Sequence, residues 1–128
     1  MISIDTNILV RLLTCDDKEQ AARAKCLFLD EHIYITKTVI LETEWVLRYA
    51  YAFSAATIAG AFVKLLGQQN VTIEDALHIA QATKLLQKEL DFADALHLVC
   101  SQNHLFVTFD KKLKTKAVDA GVKTVRLL

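Results

Sequence analysis

The chain has 128 residues, 53% of them hydrophobic and 23% charged, and fifteen Lys+Arg balance fifteen Asp+Glu. That length suits a single domain, residues 1–128, with one hydrophobic core, and the composition excludes a disordered or fibrous chain. Net neutrality excludes a general affinity for polyanions, and no apolar run is long enough to read as a membrane span.

Proline is absent and glycine occurs three times, so helices can run long. Ile2–Ile4 reads as a short buried strand ending at Asp5-Thr6-Asn7, and Ile8-Leu9-Val10 with Leu12-Leu13 reads as the helix that follows. Asp16–Leu29 reads as helical, with Ala22, Cys26 and Leu29 at helical spacing and Asp16, Asp17 and Glu19 at the start, where the macrodipole favours acids. His32–Thr36 alternates and is β-branched, a second strand. Lys37–Tyr51 and Ser54–Leu66 read as helices, the latter capped by Ser54 and followed by Gly67 as a C′ glycine.

Val71–Ile73 is a weak third strand, Glu74–Glu89 a helix with Leu77, Ala80 and Leu85 among its apolar positions, and Ala93–Gln102 another helix. Leu105–Phe109 is a clear strand, Lys111–Ala120 a helix closed by Gly121, and Val122–Leu127 a last strand. Strands alternating with helices predict an α/β domain with a mostly parallel sheet of about five strands, helices covering both faces. Cys15, Cys26 and Cys100 cannot all pair and show no metal-ligand spacing, so buried thiols in a reducing cytoplasm are expected.

Charge is unevenly distributed. Residues 104–128 hold six basic residues against Asp110 and Asp119, a balance of plus four that residues 1–103 compensate. A basic flank beside an acidic remainder suits a phosphate-bearing ligand held near bound cations, and equally a solvated helix face.

Four acids occupy matching stations. Asp5 and Asp110 follow strands, Asp94 lies in the first turn of a helix, and Glu42 lies inside one. Ligands of open parallel sheets bind beyond the carboxyl ends of strands, so Asp5 and Asp110 would meet there if the first and fourth strands are neighbours. Each acid also has a structural explanation: Asp5 and Asp110 as helix N-caps, and Asp91 capping a helix with Asp94 three residues on. Glu42 is the least comfortable, because Val39, Trp45 and Val46 surround it at helical spacing, whereas Glu44 has Arg48 four residues on and reads as a surface pair.

Converging acids would repel by about 4 kcal/mol at about 4 Å and an effective dielectric of about 20. Either protons are retained or a divalent cation sits among the carboxylates. Oxygen ligands without His or Cys suit Mg²⁺ or Mn²⁺, and such ions activate water and neutralise a departing oxygen.

Ile2-Ser3-Ile4-Asp5-Thr6-Asn7-Ile8-Leu9-Val10 resembles the opening of PIN domains, especially VapC-type ribonuclease toxins of toxin–antitoxin pairs. The resemblance runs on through Arg11-Leu12-Leu13 and Gln20-Ala21-Ala22-Arg23-Ala24, then Val39-Ile40-Leu41-Glu42, Phe92-Ala93-Asp94-Ala95-Leu96-His97 and Val107-Thr108-Phe109-Asp110. It implies a PIN-like α/β/α sandwich with strand order 3-2-1-4-5 and a Mg²⁺- or Mn²⁺-dependent endoribonuclease. In that family's terms Asp5, Glu42, Asp94 and Asp110 are the catalytic, metal-holding acids, supported by Asn7 and Thr108. It also implies a homodimer silenced by a cognate antitoxin, with transfer RNA a favoured substrate class, while the composition and the broken apolar runs predict a cytoplasmic protein with no membrane partner. Arg11, Lys111 and Lys112 are candidates for holding RNA phosphates.

Asp91 adds a fifth acid beside Asp94, and His97, three residues from Asp94, suits a core or outer-shell role. Tyr49, Tyr51, Phe53 and Phe62 read as core, or as a dimer or antitoxin surface. The competing readings are a catalytically silent PIN-like module that binds RNA or protein, a receiver-type phosphotransfer domain, and a haloacid-dehalogenase-like phosphatase. Intact acids at all four stations count against the first. The receiver needs an acid at the end of the third strand, where only Asp75 follows two residues later, and the phosphatase needs Asp at position 7, where Asn7 stands.

Overall fold

The computed structural model describes residues 1–128 as seven helices and five strands in two compact units, Met1–Ala76 and Leu77–Leu128. The α/β class with parallel strands is the one expected from the sequence. The strands form a three-stranded sheet in the order 3-2-1 and a separate two-stranded sheet in the order 4-5, so the single sheet of about five strands expected from the sequence is corrected: β1 and β4 do not pair.

In the first unit the elements are β1 (Ile2–Ser3), α1 (Thr6–Thr14), α2 (Lys18–Asp30), β2 (Ile33–Ile35), α3 (Lys37–Tyr49), α4 (Ala55–Leu66) and β3 (Val71–Ile73). β2 is the central strand, with Ile2 opposite Ile33 on one side and Ile35 opposite Ile73 on the other. Ile33 and Ile35 are wholly buried, as are Leu9 of α1, Ile40 and Leu47 of α3, and Ile58 and Phe62 of α4. Each such side chain contributes about 1.5–3 kcal/mol of burial.

Local chemistry sets the element ends. Asp17 caps α2, Thr36 caps α3 and Ser54 caps α4, each side chain accepting a backbone N–H. α1 and α2 are separated because Cys15 adopts a left-handed conformation, φ 54°. The helix expected from Glu74 begins only at Ala76: the Glu74 N–H donates to the Ile35 carbonyl, continuing the strand pairing, and Asp75 is left-handed at φ 52°. Gly67 ends α4 with a right-handed φ of −84°, so the left-handed C′ role expected of it is not used.

The second unit carries most of α5 (Ala76–Leu86), then α6 (Phe92–Cys100), β4 (Phe106–Thr108), α7 (Lys111–Asp119) and β5 (Val125–Leu127). β4 and β5 pair in parallel, Phe106 opposite Val125 and Thr108 opposite Leu127. Gly121, at φ +93°, makes the left-handed turn out of α7 that a Cβ would strain. Phe92, Ala95, Leu96, Leu98 and Val99 of α6 and Leu113 and Ala117 of α7 are buried.

Several expected burial patterns are corrected. α2 buries Ala21 and Ala24, leaving Ala22, Cys26 and Leu29 exposed, because the small residues permit its close approach to α1. All three cysteines are free and exposed, not buried. α5 leaves Leu77 exposed and buries Ile79, Ala82, Leu85 and Leu86. Of the four aromatics, Phe62 is core and Tyr49 is 62% exposed, while Tyr51 and Phe53 lie between, ring to ring at 6.1 Å.

Candidate metal and nucleic-acid site

In the first unit, Asp5 stands just beyond β1 and caps α1: its Oδ1 accepts the Ile8 N–H at 3.1 Å. One carboxylate oxygen is thereby committed to the helix and the other is not. The capping and ligand roles set against each other in the sequence are compatible in this geometry. Thr6, buried beside Asp5, donates its hydroxyl to Glu42 Oε1. That bond brings the Glu42 carboxylate of α3 to the first turn of α1, one residue from Asp5.

Helix α3 is rotated relative to the sequence expectation. Its buried stripe is Ile40, Thr43, Glu44 and Leu47, and Glu42 lies on the exposed face with Trp45 and Tyr49. Glu44 is therefore the buried acid, 1% exposed, and its pairing with Arg48 at 3.1 Å is interior and not superficial. The Arg48 guanidinium also stacks over Tyr49, 4.8 Å from the ring centre. Apolar neighbours misassigned the face because Trp45 and Val46 are not its core residues.

Asn7 is exposed at the start of α1 and, with Asp5, Ile8 and Arg11, lines a pocket of about 550 Å³ closed on its other side by Gln20, Arg23, Ala24 and Leu27 of α2. Arg11 is engaged within the protein. Its Nε donates to Gln20 at 2.8 Å and its Nη1 to Asp16 and to the Tyr51 hydroxyl. The Tyr51 hydroxyl in turn donates to Asp16 and holds that carboxyl below its usual range, with help from Thr14 and Arg11. This brace ties the α1–α2 turn to the α3–α4 loop, and sequence inspection gave Tyr51 no such part.

In the second unit, Asp110 stands beyond β4 and caps α7, its Oδ1 accepting the Leu113 N–H at 3.0 Å. Thr108 Oγ1 accepts the Asp110 N–H at 3.0 Å, so this hydroxyl sets the turn that presents Asp110. Asp91 caps α6 by accepting the Asp94 N–H at 3.3 Å. Asp94 is half-buried, and its pKa is raised, first by that burial, then by the Asp91 charge, with Asp110 adding to it and His97 and Lys116 opposing. Asp94 and Asp110 thus feel one another's field. Lys111 and Lys112 occupy the exposed first turn of α7, where the macrodipole disfavours cations.

None of Asp5, Glu42, Asp94 and Asp110 is ion-paired, the salt bridges being Arg11–Asp16, Lys37–Asp75 and Arg48–Glu44. Each of the four keeps at least one carboxylate oxygen uncommitted, a donor set that suits a hard divalent cation. The chain forms no compact group of three or more His, Cys, Asp or Glu side chains. In the first unit Thr6 ties Glu42 to the residue after Asp5, and in the second Asp94 lies within the field of Asp110.

Sequence reasoning missed Thr6, although it stands in the Asp5-Thr6-Asn7 trio. A β-branched hydroxyl at a helix start, packed inward, was the available signal. No helix is long and apolar enough to cross a membrane.

Comparison with curated proteins and with solved structures found no match. The family model of the PIN domain matches residues 2–119, which includes all four acids and both of their hydroxyl neighbours. PIN domains are generally metal-dependent nucleases, and carboxylates free of salt bridges, as described above, are the groups such chemistry requires. The chain belongs to the PIN domain family.

Proposed function

We propose that the protein is a Mg²⁺- or Mn²⁺-dependent endoribonuclease of the VapC type, the toxin of a toxin–antitoxin pair. The observation that carries this reading is that Asp5, Glu42, Asp94 and Asp110 form no salt bridge while each retains a free carboxylate oxygen. In this reading these acids are the metal-holding groups of the enzyme. A bound divalent ion lowers the pKa of water and neutralises the departing oxygen of the phosphodiester.

The chain's own residues do the rest. Asp5 and Asp110 hold their carboxylates still through the helix caps they make, and Thr6 orients Glu42. Asn7 presents its amide in the pocket beside Asp5, and Thr108 sets the turn before Asp110. Lys111 and Lys112 supply cations for RNA phosphates, while Arg11, fastened to Gln20, Asp16 and Tyr51, shapes the wall of the Asp5 pocket. The protein acts as a cytoplasmic homodimer, is restrained by a cognate antitoxin, and takes RNA as substrate, transfer RNA among the classes to test.

The test is purified protein incubated with RNA and either ion, with the ends of the products mapped. A 5′-phosphate and a 3′-hydroxyl, lost on chelation and in Asp5→Asn, are expected. Absence of cleavage with both ions and with several RNA classes overturns the reading.

A further inference from the structure

We propose that Arg23 is an RNA-backbone contact, placing a phosphodiester in the pocket between α1 and α2; this rests on the nuclease reading above and names a binding residue for it. Two arginines line that pocket, and they differ in what their guanidinium groups already do. Arg11 is spent on Gln20, Asp16 and Tyr51, so its position is fixed and its charge is largely answered inside the protein. Arg23 is exposed and makes no hydrogen bond, ion pair or ring contact.

The placement follows from helix geometry. Gln20, Arg23, Ala24 and Leu27 recur at three- and four-residue spacing and form one face of α2, which fronts the pocket. Gln20 is fastened to Arg11 at 2.8 Å, and Arg23 lies one turn further along the same face. Opposite stand Asp5 and Asn7, at the end of α1 where the acid proposed to hold metal is displayed. A pocket of about 550 Å³ admits a phosphate with its flanking sugar, and Ile8, Ala24 and Leu27 give it an apolar floor.

A free guanidinium beside a carboxylate that repels anions has a specific use. It offsets the repulsion a phosphodiester meets at Asp5 and offers the planar, two-toothed donor that phosphate oxygens favour. An acidic peptide would use the same donor and meet the same repulsion at Asp5, but it brings no phosphodiester bond to the acids, which is what the nuclease reading requires of the occupant. RNA is therefore the favoured occupant.

The experiment measures binding of a fluorescent single-stranded RNA in chelator, so that no cleavage occurs, across a salt series, for the unaltered protein, Arg23→Ala and Arg23→Lys. The expected result is a few-fold weaker binding by Arg23→Ala, with the slope of log affinity against log salt smaller by about 0.7, one phosphate contact on a single strand. Arg23→Lys should restore the slope and part of the affinity. In cleavage assays with Mn²⁺, Arg23→Ala should raise KM with kcat little changed.

An unchanged slope and KM in Arg23→Ala, with the unaltered protein cutting RNA, overturns the Arg23 assignment and leaves the nuclease reading standing. Unaltered protein that neither binds nor cuts RNA overturns both. Binding of a polyglutamate peptide that depends on Arg23, with RNA affinity indifferent to it, overturns the assignment in favour of a protein partner.

Discussion

In the first unit Asp5 and Glu42 are each steered by a hydrogen bond, from the Ile8 N–H and the Thr6 hydroxyl, whereas in the second unit Asp94 accepts none and is held by the packing of α6 among other acids. The first arrangement orients carboxylates at little electrostatic cost. The second stores repulsion: burial, Asp91 and Asp110 all make the Asp94 charge unwelcome. A cation is thus more strongly called for by the second unit, while the geometry of its acceptance is better defined in the first.

The largest expected effect tests whether both units serve one reaction. Asp5→Asn and Asp94→Asn should each reduce RNA cleavage by more than the roughly 100-fold that loss of an outer-shell partner costs, with circular dichroism unchanged. Cleavage surviving in either variant would separate the two units functionally. Next, Thr6→Val removes the hydroxyl that steers Glu42 while keeping its shape, and should cost roughly 10–100-fold in Mn²⁺ affinity or cleavage, read by titration and initial rates.

A third measurement sets the two glutamates of α3 against each other. Glu44→Ala leaves Arg48 without its interior partner and should lower stability by about 2–4 kcal/mol in urea melts, below the full cost of a buried pair because Arg48 is partly exposed. Glu42→Gln should change it by less than about 0.5 kcal/mol. Equal losses would put α3 in the wrong rotation.

The smallest effect concerns pH. Because folding raises the Asp94 pKa, the folded state binds that proton more tightly than the unfolded chain. Its favourable contribution is complete below the ordinary carboxylate value and disappears as pH climbs through the raised one. At neutral pH the ionised Asp94 therefore destabilises the metal-free protein, and Asp94→Asn should modestly raise its melting temperature there and not at pH 3. Added Mn²⁺ should stabilise the unaltered protein and not the variant. A variant melting lower at neutral pH would mean that Asp94 is not the strained acid.

Much of this was legible beforehand. Element order and type follow from apolar periodicity and from capping residues: Asp17, Thr36, Ser54, Asp91 and Asp110 each start a helix where the sequence suggests one. Asp5 and Asp110 beyond strand ends are likewise readable, since a strand followed by an acid and a helix needs no tertiary information. Which face a helix buries is less so. In α3, Trp45 and Val46 made Glu42 look interior, yet a helix packed on several sides can bury a Glu44–Arg48 pair and leave an indole outside. In α2, alanine spacing and not the larger Cys26 and Leu29 decides the packed side, because close helix approach rewards small residues. The Thr6–Glu42 and Arg11–Tyr51 bonds join positions 36 and 40 residues apart, and no local pattern encodes them.

Trp45 is the chain's single tryptophan, 57% exposed on the same face of α3 as Glu42 and three residues from it. Its emission consequently comes from one known place, beside one of the acids and against the ring of Tyr49 at 5.2 Å. Paramagnetic Mn²⁺ arriving near Glu42 would dim that light and diamagnetic Mg²⁺ would not, giving a label-free optical gauge of ion loading built into the native fluorophore.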